Sequence, residues 1–183
     1  MLKTLALLLL AGIIAAQTTP KEEATQPYTD SEAYAVYSAI IQNGWATLSH
    51  EPELFISDQT VVIHNVSLKP EGDLQATLGP AIADYQEANQ EQRSLRREFH
   101  IDKPYDLVTA DKTSKPFWIR FSSVGFNGDK TVAVVAVDRV IAHVGGSSGS
   151  GSFVVLFKKD GKWQRGKWSG ADCAWIGSVG TGS

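Results

Sequence analysis

The spacing of apolar residues predicts an amphipathic helix that begins close to residue 30. Thr29 and Glu32 stand three residues apart in the pattern of a capping box, in which the Thr29 hydroxyl accepts from a first-turn amide and Glu32 reaches back to the N–H of the cap. The apolar positions then recur at helical spacing, and the helix ends near Asn43-Gly44 or runs on past Gly44 to Leu48 at some cost. These positions are Ala33, Tyr34, Val36, Tyr37, Ile40 and Ile41.

A second helical stretch is expected to open at Gly79-Pro80, because proline is tolerated in the first turn of a helix. Its apolar stripe is weak and consists of Ile82, Tyr85, Ala88 or Asn89, Leu95 and Phe99. Three basic residues, Arg93, Arg96 and Arg97, fall toward its far end, where the helix dipole favours positive charge. We prefer this explanation of the arginine cluster to a phosphate site.

Strand patterns dominate the second half of the chain. Four β-rich runs cover residues 117–126, 131–144, 152–159 and 162–168, and the hairpin dipeptides Asn127-Gly128 and Asp160-Gly161 join two pairs of them. The run 131–144 is apolar at odd and even positions alike, as in a strand covered on both faces. Two shorter runs, 54–56 and 60–63, predict one or two further strands.

This order of elements predicts the α+β class, with N-terminal helices packed on a C-terminal four-strand antiparallel meander. The order is similar to that of the NTF2-like and cystatin-like cone folds, in which a curved sheet wraps a helix. The glycine- and serine-rich residues 145–152 (GGSSGSGS) lie between two strand patterns and indicate a flexible hairpin loop that could serve as a lid.

The first 16 residues have the three-part layout of a secretory signal peptide: a lysine at position 3, an apolar run over 4–14 and a small-residue exit at Ala15-Ala16. About 12 apolar residues span only some 18 Å as a helix, too little to cross a bilayer. We therefore expect export to a bacterial periplasm or outside the cell, and a soluble chain without a membrane segment after cleavage. Residues 17–28 read as a flexible leader and 29–183 as a single domain.

Composition limits the chemistry that the chain can carry. A net charge of −3 argues against nucleic-acid binding, with acidic residues in excess before residue 112 and basic residues in excess after it. The four histidines lack ligand spacing, so neither a metal nor a cofactor is predicted. Cys173 is the one cysteine and is expected to be a buried apolar residue, whereas Asn65-Val66-Ser67 matches a glycosylation acceptor that matters only in a eukaryotic source.

Strand parity supplies the candidate site. If Asn127-Gly128 is a two-residue turn, four residues share one face of the sheet with valines: Trp118, Arg120, Arg139 and His143. Two guanidinium groups and an imidazole beside a tryptophan could line a pocket for an acidic ligand. The alternative is structural, with the charges meeting water at strand ends or paired with the acidic helices.

Two segments resemble an uncharacterised group of exported bacterial proteins. The first runs from Ser123-Val124-Gly125-Phe126-Asn127 through an apolar strand and a glycine-rich turn to residues 153–163 (FVVLFKKDGKW), and the second is residues 32–38 (EAYAVYS). Members of the group carry a cysteine pair around the glycine-rich turn, which this chain lacks. The resemblance implies no activity, so no catalytic residue is carried over.

Because the sequence contains no catalytic constellation, we expect a non-catalytic exported domain that binds a small molecule or a protein partner. The alternative is a small-molecule enzyme in an NTF2-like pocket, with Asp138 or His143 as the acid/base group.

Overall fold

A computed structural model describes residues 25–44, 52–63 and 70–166, together with the backbone of 174–180. The predicted signal peptide, residues 17–24 of the predicted leader, Asn65 and Cys173 lie outside the described residues. Residues 26–28 of that leader are docked on the domain, since Tyr28 N–H donates to Ser94 O at 2.8 Å and Ser94 N–H donates to Gln26 O at 2.9 Å. The prediction of flexibility is therefore wrong for this part of the leader.

The first helix, α1, spans Ser31–Gln42, close to the prediction. Its N-cap is Asp30 rather than Thr29, because the Asp30 carboxylate accepts from Glu32 N–H at 3.0 Å. The side chain of Glu32 turns away from the cap and binds Lys158 and Trp163, so the expected capping box does not form. One face of α1 is fully buried, and its Tyr34 and Tyr37 rings pack against each other and against Phe99, which lies outside the helix.

The second helix, α2, spans Asp73–Ala88 and so begins six residues before the predicted start. Pro80 lies inside it, exposed to solvent, where the helix loses one hydrogen bond. Burial of Leu78, Ala81, Ile82 and Tyr85 against the sheet stabilises the helix through that point. The three arginines lie beyond its end, so the dipole explanation is wrong. Arg97 forms an ion pair with Asp106 instead.

Among the described residues, eight strands form one curled, mixed sheet. The strands are β1 (Leu54–Ser57), β2 (Tyr105–Val108), β3 (Phe117–Phe121), β4 (Gly125–Phe126), β5 (Val132–His143), β6 (Gly146–Lys159), β7 (Lys162–Arg165) and β8 (Ala174–Gly180). Their order is β2-β1-β3-β5-β6-β7, with β4 also on β5 and β8 also on β6. Strand β1 is parallel to both β2 and β3, whereas the remaining pairings are antiparallel.

This architecture corrects the predicted fold, in which helices packed on a four-strand antiparallel meander. Two parallel strands that precede the predicted meander, β1 and β2, extend the sheet, and one helix covers each face. Alternate residues of β5 contribute to both layers: Ala133 and Val135 face α1, and Val134 and Ala136 face α2. The prediction that this strand is buried on both faces is confirmed.

The glycine- and serine-rich segment is part of β6 rather than a flexible loop or lid. Residues 146–152 pair with β5 on one side and with β8 on the other. Hydrogen bonds from two neighbouring strands hold this backbone extended, although glycine and serine have low intrinsic preference for a strand. The hairpin turn moves to Val144-Gly145, between His143 and Gly146.

The hairpin at Asp160-Gly161 has the predicted register, because Lys159 pairs with Lys162 and Lys158 with Trp163. Both turn residues adopt positive φ, at 50° and 75°, as a two-residue hairpin turn requires. The face that contains Val154 and Leu156 is buried, because α1 packs on it.

Candidate ligand-binding pocket

A bulge between β3 and β4 decides which residues can form a site. Phe121 pairs with Val137 and Gly125 pairs with Val134, so residues 122–124 lie opposite only two residues of β5. Ser122 keeps the ladder closed, since its N–H donates to Ala136 O at 3.0 Å and its hydroxyl accepts from Ala136 N–H at 2.8 Å. Because of this one extra residue, each β3 side chain lies on the face of the sheet opposite to the one that an uninterrupted ladder with β5 would give it.

Distant side chains bind the remaining polar groups of the bulge. Ser123 N–H donates to Asn89 Oδ1 at 2.9 Å, and Asn89 Nδ2 donates back to Ser123 O at 3.1 Å. Val124 N–H donates to the Tyr28 hydroxyl at 3.0 Å, and the Tyr37 hydroxyl donates to Ser122 O at 2.7 Å. The bulge is therefore held by the N-terminal segment and both helical regions together, rather than by its own sequence.

The bulge separates the four predicted site residues into two pairs. Arg120 pairs with Asp138 and Trp118 pairs with Val140, whereas Arg139 pairs with Ile119 and so lies on the opposite face with His143. The predicted common face is wrong for this reason. The loop after Asn127 contains four residues and not the two predicted, but this even difference leaves each β5 side chain on the predicted face relative to β4. The bulge alone therefore accounts for the wrong prediction of a common face.

Arg120 and Asp138 form an ion pair on the α2 face of the sheet. Arg120 Nε donates to Asp138 Oδ2 at 3.1 Å and Nη2 donates to the same oxygen. The Asp138 side chain is 3% exposed and the Arg120 side chain 28% exposed. Within the described chain, Asp138 Oδ1 has no hydrogen-bond partner. Arg120 is thus paired, although with a strand residue and not with the acidic helices that the structural alternative named.

The other three predicted residues have different surroundings. Trp118 is buried with Phe55 and Val140, and its indole N–H has no partner among the residues that the structure describes. Arg139 and His143 are exposed near the end of β5. A ligand-binding role for these residues stays a prediction.

A pocket of about 290 Å³ opens beside Arg120. Strands β1, β2 and β3 run in the same direction, so their carboxyl ends meet at one edge of the sheet. The segments that follow β1 and β2 form the walls there, and Arg120 enters from near the end of β3. Ligands commonly bind outside the carboxyl ends of parallel strands, and the volume is near the lower end of the range for small-molecule sites.

Polar and charged groups line most of this pocket. The lining includes Ser57, Asp58, Thr60, Thr109, Lys112 and Arg120. Ser57 and Thr60 are buried, at 3% and 1% exposure. Lys112 is exposed, and its ammonium group forms no ion pair with the described residues.

Hydrogen bonds hold the two wall segments in place. The Thr109 hydroxyl donates to Asp58 Oδ2 at 2.6 Å and links the segments across the pocket edge. The Thr60 hydroxyl accepts from Arg93 N–H at 2.9 Å, and Asp58 N–H donates to Val108 O at 2.9 Å. These contacts fix the walls before any ligand arrives, which lowers the entropic cost of binding.

Sequence reasoning missed this pocket. The polar residues 57–59 looked like a separator between two short strands, and 109–112 carried no motif. The available signal was a polar cluster directly after each of two short apolar runs. These two polar clusters form a site only because the runs pair in parallel. Neither run on its own indicates that pairing.

Three further findings concern possible metal ligands, the acid/base candidates and membrane-spanning helices. The described residues contain no group of three or more His, Cys, Asp or Glu side chains placed to hold a metal ion. The two acid/base candidates of the enzyme alternative, Asp138 and His143, lie on opposite faces of β5, because an odd number of positions separates them. Neither described helix has the length and apolar character to span a bilayer.

Comparison of the chain with protein-family models, with curated proteins and with solved structures gave no match. The resemblance to the exported bacterial group and to NTF2-like or cystatin-like folds therefore stays a prediction. Any assignment of function rests on the geometry of the pocket.

Proposed function

We propose that this chain is an exported protein that binds a small polar molecule in the pocket at the carboxyl ends of β1, β2 and β3. The observation that carries the proposal is Arg120, a guanidinium group anchored by a buried carboxylate and still lining an open cavity. An arginine needed only to neutralise Asp138 would be as effective in a closed interior. Here it borders a cavity whose other walls carry hydroxyl, amide and carboxylate groups.

Export is the second part of the proposal, and its support is the amino-terminal pattern of residues 1–16. Amino-terminal sequencing and intact mass of protein recovered from the native host test it. A chain that begins near Gln17 and lies outside the cytoplasm supports export. A full-length chain retained in the cytoplasm contradicts it.

The binding part is tested by thermal-shift screening of the purified protein against sugars, amino acids, organic acids and amines. A ligand at a hundredfold excess over its Kd stabilises the folded state by about 2.7 kcal/mol, which raises Tm by several degrees. Gln92→Trp places an indole at the pocket wall, where Gln92 is exposed, and should abolish the shift.

The matched control is Gln90→Trp, because Gln90 is also exposed and precedes the pocket segment by two residues without lining the cavity. It should retain the full ligand-induced shift. Equal shifts in both variants would place the ligand elsewhere and overturn the assignment of the pocket. No shift with any compound of the screen would contradict small-molecule binding itself.

A further inference from the structure

The pocket presents both signs of charge. Asp58 and Asp111 contribute carboxylates, and Lys112 and Arg120 contribute cations. Asp138 already neutralises part of the positive charge of Arg120 from behind. A simple anion would meet two carboxylates in the wall, and a simple cation would meet the lysine and the arginine. A ligand that carries both charges avoids both costs.

The free edge of Arg120 fits a carboxylate. A guanidinium group has two edges that can each bind two acceptor oxygens. Asp138 occupies one edge, since Nε and Nη2 both donate to Oδ2. The other edge is formed by Nη1 and Nη2, and Nη1 makes no hydrogen bond to the described residues. Arg120 lines the cavity. A ligand carboxylate on this edge would complete a second charge-assisted pair.

A second group in the pocket, the Asp58 carboxylate, fits an amine. Asp58 follows β1 directly, and only its Oδ2 is used, by the Thr109 hydroxyl. Its Oδ1 makes no hydrogen bond to the residues described, and the side chain is half-buried in the wall. The Thr109 contact fixes the orientation of this carboxylate, so that an ammonium group can bind it without a further loss of side-chain freedom.

From this arrangement we infer that the ligand is a small zwitterion of the amino-acid class, with its carboxylate on Arg120 and its ammonium group on Asp58. The inference rests on the proposed function and specifies the ligand of that same pocket. A volume of about 290 Å³ holds a free amino acid or a very short peptide. Asp138 acts here as a positioning residue, because it orients the guanidinium group and does not itself line the pocket.

Isothermal titration calorimetry of the purified protein tests the inference. The probes are the twenty common L-amino acids, each tested singly, with propionate and ethylamine as analogues that carry one charge and glucose as an uncharged polar probe. At least one amino acid should bind at least about tenfold more tightly than either analogue, as expected when one charge-assisted hydrogen bond is lost.

Two variants assign the two ends of the ligand. Arg120→Lys keeps a cation beside Asp138 and removes the free edge, so it should weaken amino-acid binding at least about tenfold. Asp58→Asn keeps an acceptor for Thr109 and removes the charge, so it should weaken amino-acid binding while leaving any weak propionate binding in place. Lys159→Gln, an exposed cation at the hairpin between β6 and β7 that does not line the pocket, is the control and should bind as the unaltered protein does.

The outcomes separate the inference from the proposed function. Glucose or an organic acid that binds and is blocked by Gln92→Trp, with no amino acid binding, would overturn the zwitterion and leave the pocket assignment intact. Amino-acid binding that survives both Arg120→Lys and Asp58→Asn would overturn the placement of its charges. No binding by any probe would contradict both.

Discussion

Gly125 is the point at which the backbone of β4 touches the backbone of α2. A Cβ built at this position would lie 2.3 Å from Tyr85 N, 2.4 Å from Ala81 O and 2.4 Å from Tyr85 Cα. All three are backbone atoms, so no side-chain rotation can relieve the contact. We therefore predict that Gly125→Ala forces the strand and the helix apart.

The size of the effect follows from the packing around this contact. Restoring ordinary van der Waals separation requires a movement of roughly 1 Å. That movement would loosen the buried layer of Leu78 and Tyr85 and would stretch the 2.6 Å hydrogen bond from Phe126 N–H to Asp84 Oδ2. Overpacking costs typically 1–3 kcal/mol and one hydrogen bond about 1 kcal/mol, so we expect a loss of roughly 2–4 kcal/mol.

Urea denaturation followed by circular dichroism measures this loss as the change in the free energy of unfolding. The control is Gly128→Ala, in the loop between β4 and β5, because a Cβ there meets nothing within 4 Å. That variant should change stability by less than about 0.5 kcal/mol. If Gly125→Ala stays within about 1 kcal/mol of Gly128→Ala, the argument from backbone contact is refuted.

Two further predictions concern polar groups around α1. Glu32→Gln should lower stability by about 1 kcal/mol at low salt, because Glu32 Oε1 accepts from Lys158 Nζ at 2.9 Å and from Trp163 Nε1 at 2.6 Å. The difference in stability from the unaltered protein should shrink as the salt concentration rises. A difference that is independent of salt would refute the ionic contribution. Burial raises the pKa of Tyr28 to about 12, so its stabilising contribution is fully present below pH 10 and is lost as pH rises from 10 through 12. Denaturation curves between pH 8 and 12 should therefore show a smaller alkaline loss of stability for Tyr28→Phe than for the unaltered protein; equal losses would refute this assignment.

Short-range signals predicted the parts of this fold that depend on neighbouring residues. The turn at Asp160-Gly161 requires two positive φ angles, which this dipeptide tolerates, and its register followed correctly. The burial of β5 on both faces was equally visible, since its apolar residues occupy odd and even positions. The first helix was predicted nearly to its ends, although its cap moved by one residue to Asp30.

Long-range contacts determine the parts that the sequence did not reveal. Residues 146–152 have the composition of a loop and form a strand because β5 and β8 bind them from both sides. The parallel pairing of β1 with β2 joins segments about 50 positions apart, without a motif in either. The pocket depends on that pairing, so it could not be predicted before the topology was known.

The bulge at residues 122–124 connects the fold to the candidate site. If the register of β4 continued along β3 without the extra residue, Arg120 would lie opposite Arg139. Arg120 would then lie on the face that Ile119 now occupies, and Ile119 would lie on the α2 face. Two guanidinium groups directly opposite each other repel, whereas the observed register places Arg120 opposite Asp138. The contacts that stabilise the bulge, from Asn89 and Tyr28, therefore also determine that Arg120 is paired and borders the pocket. In this chain the geometry of the proposed binding pocket depends on residues that do not line it, because these residues hold the single extra residue that determines which face each β3 side chain occupies.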